Sequence, residues 1–329
     1  MSDTAERVPM GVVSCPSGVL VVTDMGYLES WSGEGQPGGF DTDDEQLREV
    51  VASARDFRLV GSDASAAAES LGLSGATHVY DLPAQGVERL EERFAEEGWS
   101  VELVPEAARV AHRERVRRVT VAGGGVFQVN GVPSVAIPVP AGRDCAVVGK
   151  VGGDGFPRCV EVRLGDGEPA TECQVGGVGV DWARLILADA DALGDWVHEE
   201  SLDGLADAAF WGADAAEAAE HFGAPLLPEG VHGWADLPVA EAAERVLQVR
   251  RWKAEGGKGL VADFRPHSHH FHMMARLREG DGVFGHGGLQ VGRARTLAFT
   301  TGGDGHFPVV LSAAADGSPV RLRIGLGED

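Results

Sequence analysis

The segment GSDASAAAESLG (61–72) recurs as GADAAEAAEHFG (212–223), with seven of the twelve positions identical. In both copies, small or apolar residues follow the i, i+3, i+4, i+7 spacing of one face of an α-helix. Asp63 and Asp214 stand where a carboxylate can accept a hydrogen bond from the first helical turn, and a glycine follows the last turn of each copy. The pattern predicts the same short helix twice, each packed against a sheet through a face of alanines.

Three further pairs of segments match in the same order along the chain. They are VLVVTDMGYLESW (19–31) with RLILADADALGDW (184–196), YDLPA (80–84) with ADLPV (235–239), and DGFPRCVEVRLG (154–165) with DGSPVRLRIGLG (316–327). One pair could arise by accident, but four collinear pairs predict an internal duplication. We place the first half at 1–170 and the second at 178–329, either as two domains or as one intertwined domain.

Runs of alternating apolar residues indicate that strands flank these helices. In the last matched pair, an Asp-Gly-x-Pro turn precedes such a run in both copies, which is typical of a half-buried strand. In the first half, helices are expected near 44–56, 63–71 and 84–97. Helices that cluster between runs of strands favour an α+β fold. We therefore predict two pseudo-symmetric halves, each a largely antiparallel sheet with about three inserted helices.

Three stretches resemble an uncharacterised bacterial family that is known only as a domain of unknown function. The opening PSGVLVVTD (16–24) resembles the family's Ser-Gly-x-Leu-x-Val-x-Asp start, and VPAGRDCAVV (139–148) resembles its Pro-x-Gly motif before a strand. The closing FTTGGDGHFPVVLSAAADGSPVRLRIGLG (299–327) resembles its Gly-Asp-Gly-x-Phe-Pro-Val ending. The resemblance covers the edges of each half, and it implies a bacterial origin and no known activity.

The charge of the chain argues against nucleic acid and membrane partners. Its 28 basic and 51 acidic residues give a formal net charge of -23, which repels nucleic acid and anionic lipid. The basic cluster HRERVRR (112–118) is predicted to be the solvated start of a strand. The start MSDTAERVPMGVV (1–13) lacks a signal-peptide pattern, and no apolar run approaches the roughly 18 residues of a membrane span. A cytoplasmic location is expected.

The cysteines are predicted to be free, buried thiols. They are too widely spaced for a Cys-x-x-Cys zinc or redox motif, and too few to brace a chain of 329 residues. The four are Cys15, Cys145, Cys159 and Cys173.

The stretch RPHSHHFHMM (265–274) places four histidines in six positions. Pro266 excludes a helix interior, and the aromatic and alternating residues after it predict a strand. Because side chains alternate along a strand, His267 and His269 would share one face with Arg265, and the other two histidines would share the opposite face. A His-x-His pair of this kind can offer two imidazoles to one metal ion.

A metal site of this kind needs further ligands, because zinc and iron sites use three or four. The predicted metal ligands are His267, His269 and His306, with a divalent ion such as zinc. The predicted ligand-binding set adds Arg265 and Asp304. In the aligned first-half segment only His112 is present, so the cluster is expected to be a local site of the second half. A hydrogen-bonded polar strand face, or an anion-binding surface with Arg265, are the alternatives.

Aspartates in two other segments are predicted to have structural roles. In SLDGLADAAFWGADA (201–215), Asp203 and Asp207 are interpreted as lying one helical turn apart on a solvated helix face rather than as an acid and base pair. Asp24 and Asp189 follow an apolar strand in each half and are predicted to cap the turn after it.

The sequence contains no complete catalytic motif. It lacks a P-loop, a GxGxxG dinucleotide motif, a GxSxG elbow and an HExxH zinc motif. This favours a noncatalytic binding module for a protein or a small ligand, with no nucleic acid partner. The alternative is a metal-dependent, hydrolase-like enzyme that uses His267 and His269 with His306 or Asp304.

Overall fold

A computed structural model describes residues 6–38, 52–73, 77–278 and 284–327 of this protein. Within these ranges the chain is an α+β structure of antiparallel sheets, which confirms the predicted fold class. The strands up to residue 163 are β1 (Glu6–Ser14), β2 (Val19–Asp24), β3 (Arg55–Val60), β4 (His78–Leu82), β5 (Glu102–Pro105), β6 (Gly125–Val129), β7 (Val132–Pro138), β8 (Asp144–Val151) and β9 (Pro157–Arg163). The later strands are β10 (Thr171–Val180), β11 (Arg184–Asp189), β12 (Leu205–Gly212), β13 (His232–Pro238), β14 (Leu260–Pro266), β15 (His286–Val291), β16 (Ala294–Thr300), β17 (Gly305–Ala313) and β18 (Pro319–Gly325).

The helices lie between these strands. They are α1 (Ala64–Ser70), α2 (Ala84–Glu96), α3 (His112–Val121), α4 (Ala215–Phe222), α5 (Val239–Gly256) and α6 (His269–Arg278), with 3-10 helices at Met25–Ser30 and Ala192–Asp195. The helices predicted near 63–71 and 84–97 are confirmed as α1 and α2, whereas most of the helix predicted near 44–56 lies outside the described residues. None of the described helices is long and apolar enough to span a membrane.

The chain divides into two compact units. The larger unit comprises Met1–Trp196 with Arg276–Asp329, and the smaller unit comprises Val197–Ala275. The larger unit contains two six-stranded sheets, with strand orders β1-β8-β9-β18-β17-β10 and β15-β16-β11-β2-β7-β6. Both sheets combine strands from the two predicted halves, which meet where β9 pairs with β18 and where β2 pairs with β11.

The core of the larger unit follows from the alternation of apolar residues along its strands. On β9 and β18 the alternating apolar side chains are buried, and they join one cluster with residues of β2 and β11 from the other sheet. Burial of each Val, Leu or Ile side chain contributes about 1.5–3 kcal/mol to stability. The predicted half-buried strands after the Asp-Gly-x-Pro turns are therefore confirmed.

A three-stranded sheet with two helices occurs once in each unit. Its strand order is β4-β3-β5 in the larger unit and β13-β12-β14 in the smaller unit. The predicted alanine faces are confirmed, because the buried residues of α1 and α4 are alanines at matching positions: Ala64, Ala67, Ala68, Ala215, Ala218 and Ala219. Small side chains allow these helices to approach the sheet closely.

Asp63 and Asp214 have the same contact in the two units, but it differs from the predicted one. Neither carboxylate caps its own helix. Instead, Oδ2 of Asp63 accepts a hydrogen bond from the amide of Ser100 at 2.9 Å, and Oδ2 of Asp214 accepts one from the amide of Gly259 at 2.5 Å. Each aspartate therefore joins the start of its helix to the segment that leads into the neighbouring strand.

The elements recur in the same order in β1 to β9 and in β10 to β18, and the strand pairings recur with them. For example, β3 pairs with β4 and β5 as β12 pairs with β13 and β14. The first half of the structure is thus the part up to β9, and the second half is the part from β10. The correspondence is geometric, and a common ancestry of the halves stays a prediction.

Asp24 and Asp189 cap the turns that follow β2 and β11, as predicted. Oδ1 of each accepts a hydrogen bond from the amide two residues later, at 2.8 and 2.9 Å respectively. The second oxygen bonds the opposite half: Oδ2 of Asp24 accepts from the amide of Asp181 at 2.7 Å, and Oδ2 of Asp189 accepts from the amide of Ser17 at 2.8 Å. These carboxylates therefore join the two halves inside the larger unit.

Two sequence predictions of burial and secondary structure are corrected. The HRERVRR segment begins helix α3 rather than a strand, and Arg115 is fully buried because two carboxylates neutralise its charge. None of the four cysteines, all of which lie within the described ranges, forms a disulfide; Cys15, Cys145 and Cys159 are buried as predicted, whereas Cys173 is exposed on β10.

Candidate functional site

Asp207 and Asp203 lie at the start of a strand rather than on a helix. The burial of Ala206, Ala208 and Phe210 places β12 against the helices, so Asp207 points to the opposite face, where its side chain is 10% exposed. Asp203 lies in the preceding turn, and its Oδ1 accepts a hydrogen bond from the amide two residues later at 2.9 Å. The prediction that these aspartates share a solvated helix face is therefore wrong.

The histidine segment changes from strand to helix inside the cluster. β14 ends at Pro266 and α6 begins at His269. The Ser268 hydroxyl accepts a hydrogen bond from the amide three residues later at 3.1 Å, which is the contact of a helix cap. The prediction of one strand with His267 and His269 on one face is therefore wrong, and His267 lies in the turn between the two elements.

The His267 imidazole lies among three carboxylates. Its Nδ1 lies 3.1 Å from Oδ2 of Asp203, and its Nε2 lies 3.0 Å from Oδ1 of Asp207 and 3.9 Å from Oδ1 of Asp236. The ring of Phe271 stacks on the imidazole at 4.5 Å between centroids. The His267 side chain is 6% exposed, whereas that of Asp236 is 76% exposed. One edge of the cluster therefore faces solvent.

Three of these side chains bring their ligand atoms close enough together to hold one metal ion. One ligand atom from each of Asp207, Asp236 and His267 lies within 4.8 Å of the others, a proximity found for this one group within the described ranges. Asp203 completes the arrangement, because a carboxylate that accepts the Nδ1 proton leaves Nε2 as the nitrogen that can give up its proton and bind a metal ion. An imidazole with two carboxylates suits Zn²⁺, Fe²⁺ or Mn²⁺.

The pKa values of His267 and Asp203 indicate that the carboxylates favour a positive charge at the position of the imidazole. Burial lowers the pKa of His267, but the hydrogen bonds and charges of Asp207 and Asp203 outweigh burial and raise that pKa above its ordinary value. The pKa of Asp203 falls to about 2 because its carboxylate accepts a hydrogen bond from the Leu205 amide and interacts with His267. The carboxylates therefore stabilise a cation, which is either the imidazolium itself or an ion that replaces its proton.

The first half contains the same pair of carboxylates. Asp56 on β3 corresponds to Asp207 on β12, and Asp81 on β4 corresponds to Asp236 on β13. The Asp81 amide donates to Oδ1 of Asp56 at 2.8 Å, and the Asp236 amide donates to Oδ1 of Asp207 at 2.9 Å. Both turns require a left-handed aspartate, with φ of 54° at Asp81 and 56° at Asp236.

The counter-charge differs between the halves. In the first half the guanidinium of Arg115 bonds Asp56 at 3.2 Å and Asp81 at 2.5 Å, with the Arg115 side chain 0% exposed. Arg115 is the fourth residue of α3, and the fourth residue of α6 is His272. The His272 ring lies 5.8 Å from the His267 ring, between centroids. The second half therefore has a histidine pair where the first half has an arginine.

His269 has a counterpart in the first half. Its Nδ1 accepts a hydrogen bond from the amide of Val197 at 2.9 Å, and Nδ1 of His112 accepts one from the amide of Ser32 at 3.0 Å. Each histidine is the first residue of its helix. Burial, followed by the charge of Arg115, lowers the pKa of His112 to about 3, so that ring is a neutral acceptor. His269 therefore belongs to the repeated scaffold.

Arg265 lies next to Asp207 across the β12 and β14 pair, on the same face of the sheet. Its guanidinium bonds Asp263 and Glu229, each at 2.8 Å, and lies 5.3 Å from the centre of the Trp211 ring. Its charge is thus already balanced by two carboxylates.

Asp304 and His306 lie in the larger unit. Oδ1 of Asp304 accepts a hydrogen bond from the amide of Ala183 at 3.0 Å, and His306 on β17 packs its ring over Gly177. Of the predicted metal ligands, His267 therefore belongs to the group of three ligand atoms, and its companions there are two aspartates.

The two aspartates had a signal in the sequence. Asp236 recurs as Asp81 in the matched segments YDLPA and ADLPV, so both copies keep a carboxylate at that turn. Asp207 and Asp56 stand five residues before the matched glycines Gly212 and Gly61. Local sequence patterns do not reveal that β12, β13 and the end of β14 lie side by side, because this pairing joins residues that are far apart in the chain.

A separate cleft of about 310 Å³ lies in the larger unit, near the lower limit of typical small-molecule sites. Residues of both halves line it: Trp31, Ser32, Gly33, Glu34, Arg113, Asp191 and Gly194. The Arg113 guanidinium already pairs with Asp191 and lies 3.8 Å from Glu34, so the charges of the cleft are largely balanced.

Comparisons of this chain with models of protein families, with curated proteins and with solved structures gave no match. The resemblance of the opening and closing motifs to a family of unknown function stays a prediction. The function is therefore inferred from the geometry of the site.

Proposed function

We propose that this protein is a binding module that holds one divalent metal ion through Asp207, Asp236 and His267. The observation that supports this function best is the proximity of the three ligand atoms, within 4.8 Å of one another. The remaining coordination positions would be taken by water or by a bound molecule. This set replaces His269 and His306 of the sequence-based proposal with two aspartates.

The support from Asp203 makes the proposal more specific. Metal-binding histidines usually donate their second ring N–H to a carboxylate, and loss of that partner typically weakens metal affinity by about 10–100-fold. Asp203 lies at the required position, 3.1 Å from Nδ1 of His267. We therefore expect Asp203→Asn to weaken binding without abolishing it, because the imidazole would lose the negative charge beside Nδ1 while all three direct ligands remain.

The test uses isothermal titration calorimetry: the full-length protein is treated with a chelator and then titrated with Zn²⁺ or with Mn²⁺. We expect one ion per chain, and a loss of binding of at least about 100-fold in His267→Gln and in Asp207→Asn because each removes a direct ligand. His306→Gln is the matched control, and its affinity should equal that of the unaltered protein. Absence of stoichiometric binding, or equal affinity in all variants, would refute the proposal.

A metal-dependent, hydrolase-like enzyme is the second candidate function. Two observations favour it: the site offers three protein ligands, and its edge at Asp236 faces solvent. Catalytic zinc sites likewise combine three protein ligands with one water molecule. Hydrolysis of nitrophenyl ester and phosphoester probes by the Zn²⁺ and Mn²⁺ forms separates the two candidates. Turnover that disappears in His267→Gln supports the enzyme, and ion binding without turnover of these probes supports the binding module.

A further inference from the structure

The turns at Asp81 and Asp236 share a backbone conformation but differ in the surroundings of the carboxylate. Both aspartates have positive φ, and both donate their amide to the aspartate on the central strand. The Asp81 side chain is 2% exposed and is held by the guanidinium groups of Arg115 and Arg109. The Asp236 side chain is 76% exposed, and its ion pair in the described chain is to His267 at 3.9 Å.

The arginine of the first half joins several elements at once. Arg115 starts from α3, bonds Asp56 of β3 and Asp81 of β4, and donates to the carbonyl oxygen of Gln128 on β6 at 2.7 Å. The start of α3 is thereby fastened to the two strands that carry the carboxylates. At the corresponding position of α6, the shorter His272 side chain cannot span two carboxylates as a guanidinium does.

Asp207 and Asp236 carry like charge, and the Asp236 side chain is 76% exposed and lies 3.9 Å from His267, so it is held only loosely without a bound ion. We infer that the divalent ion takes over the structural role of Arg115: it draws Asp236 onto Asp207 and His267, and so fastens the β13 turn to the start of α6. The ion then acts as a clasp, by which we mean a bound ion that holds the β13 turn and the start of α6 together. Whether it is bound determines how well ordered these two segments are. The inference depends on the proposed metal binding, and it adds a consequence that binding alone does not require.

The effect of such a clasp is local. Ion binding slows hydrogen exchange at the end of β13 and in the first turn of α6, whereas the first-half turn at Asp81 is already fastened by Arg115 and stays unchanged. The corresponding first-half segments, 78–82 and 112–121, therefore serve as an internal control within the same molecule.

The experiment is hydrogen exchange with mass spectrometry on the full-length, chelator-treated protein, with and without saturating Zn²⁺. We expect at least tenfold slower exchange in peptides covering 232–240 and 267–275, and no change in the control segments. If calorimetry shows Zn²⁺ binding but these peptides exchange at the same rate, the clasp is refuted and the metal site remains. If Zn²⁺ does not bind, the proposed function fails and the clasp fails with it.

Two variants sharpen the test. Asp236→Asn keeps the backbone turn but removes the carboxylate charge, so the Zn²⁺-induced protection should be lost. His272→Arg supplies the first half's cation, so the same peptides should be protected without Zn²⁺ and the affinity for Zn²⁺ should fall at least tenfold. Undiminished protection by Zn²⁺ in Asp236→Asn would overturn the inference, whether or not His272→Arg folds.

Discussion

The buried carboxylate of Asp81 is kept ionised by two neighbouring guanidinium groups. Burial alone would raise the pKa of Asp81, but the hydrogen bonds and charges of Arg115 and Arg109 outweigh burial and lower that pKa to about 2. Burial raises the pKa of Asp56 despite the charge of Arg115. Arg115 and Arg109 together keep Asp81 ionised, and removal of Arg115 would leave the buried carboxylate of Asp56 without its cationic partner.

We expect Arg115→Met to destabilise the protein by about 3–5 kcal/mol at pH 7, the usual cost of breaking a buried ion pair. In the unaltered protein the folded pKa of Asp81, about 2, lies below its unfolded value. The stability that Asp81 contributes is therefore present above the unfolded value, near pH 3.9, and is lost as the pH falls toward 2. Without Arg115, burial would raise the pKa of Asp56 still further above the unfolded value, so the variant gains stability when this carboxyl group is protonated.

The destabilisation should consequently shrink when the pH is lowered from 7 to 4. Urea unfolding followed by circular dichroism at the two pH values measures it. Arg117→Met is the matched control, because Arg117 is on the same helix but half exposed, and it should change stability by less than about 0.5 kcal/mol. A pH-independent destabilisation would show that lost packing, rather than charge, explains the effect.

At the scale of helices and strands, short-range patterns account for some elements and fail at others. Helices α1 and α2 follow the apolar spacing that predicts them. The buried face of α1 consists of alanines, whereas α2 buries Phe94 and packs Val87 and Leu90 against the core. Helices α3 and α6 were missed because the residues that decide them are polar. The burial of Arg115 depends on Asp56 and Asp81, which lie far away in the chain, and the start of α6 depends on a single serine cap at Ser268.

The alanine face of α4 gives a prediction at this scale. Ala218 is fully buried against the sheet of the smaller unit, so Ala218→Leu should force the helix away and destabilise the protein by about 1–3 kcal/mol. Ala216→Leu, on the exposed face of the same helix, should stay within about 0.5 kcal/mol of the unaltered protein. Chemical unfolding of both variants measures the difference, and equal stabilities would show that the helix packs less closely than the structure indicates.

At the scale of the whole molecule, the two halves share their large sheets. The repeat predicted the halves and left open whether they exchange strands, because pairing partners in a duplicated chain are equivalent by sequence. The structure pairs β2 with β11 and β9 with β18, and Asp24 and Asp189 each bond the backbone of the opposite half. The candidate site was predictable only in part for the same reason: His267 stood out, but its aspartate partners come from other strands.

This sharing predicts that residues 1–170 do not fold alone. The fragment would lose the partners of β2 and β9 and expose apolar residues that are buried in the common core. We expect weak near-ultraviolet dichroism and no cooperative unfolding transition, in contrast to the full-length chain. A sharp transition with a well-dispersed NMR spectrum would instead establish the halves as independent domains.

The correspondence of His272 with Arg115 has a genetic consequence. Histidine and arginine codons can differ by a single base, so under the proposed function one point mutation would separate a turn that uses a divalent ion from one that carries its own cation.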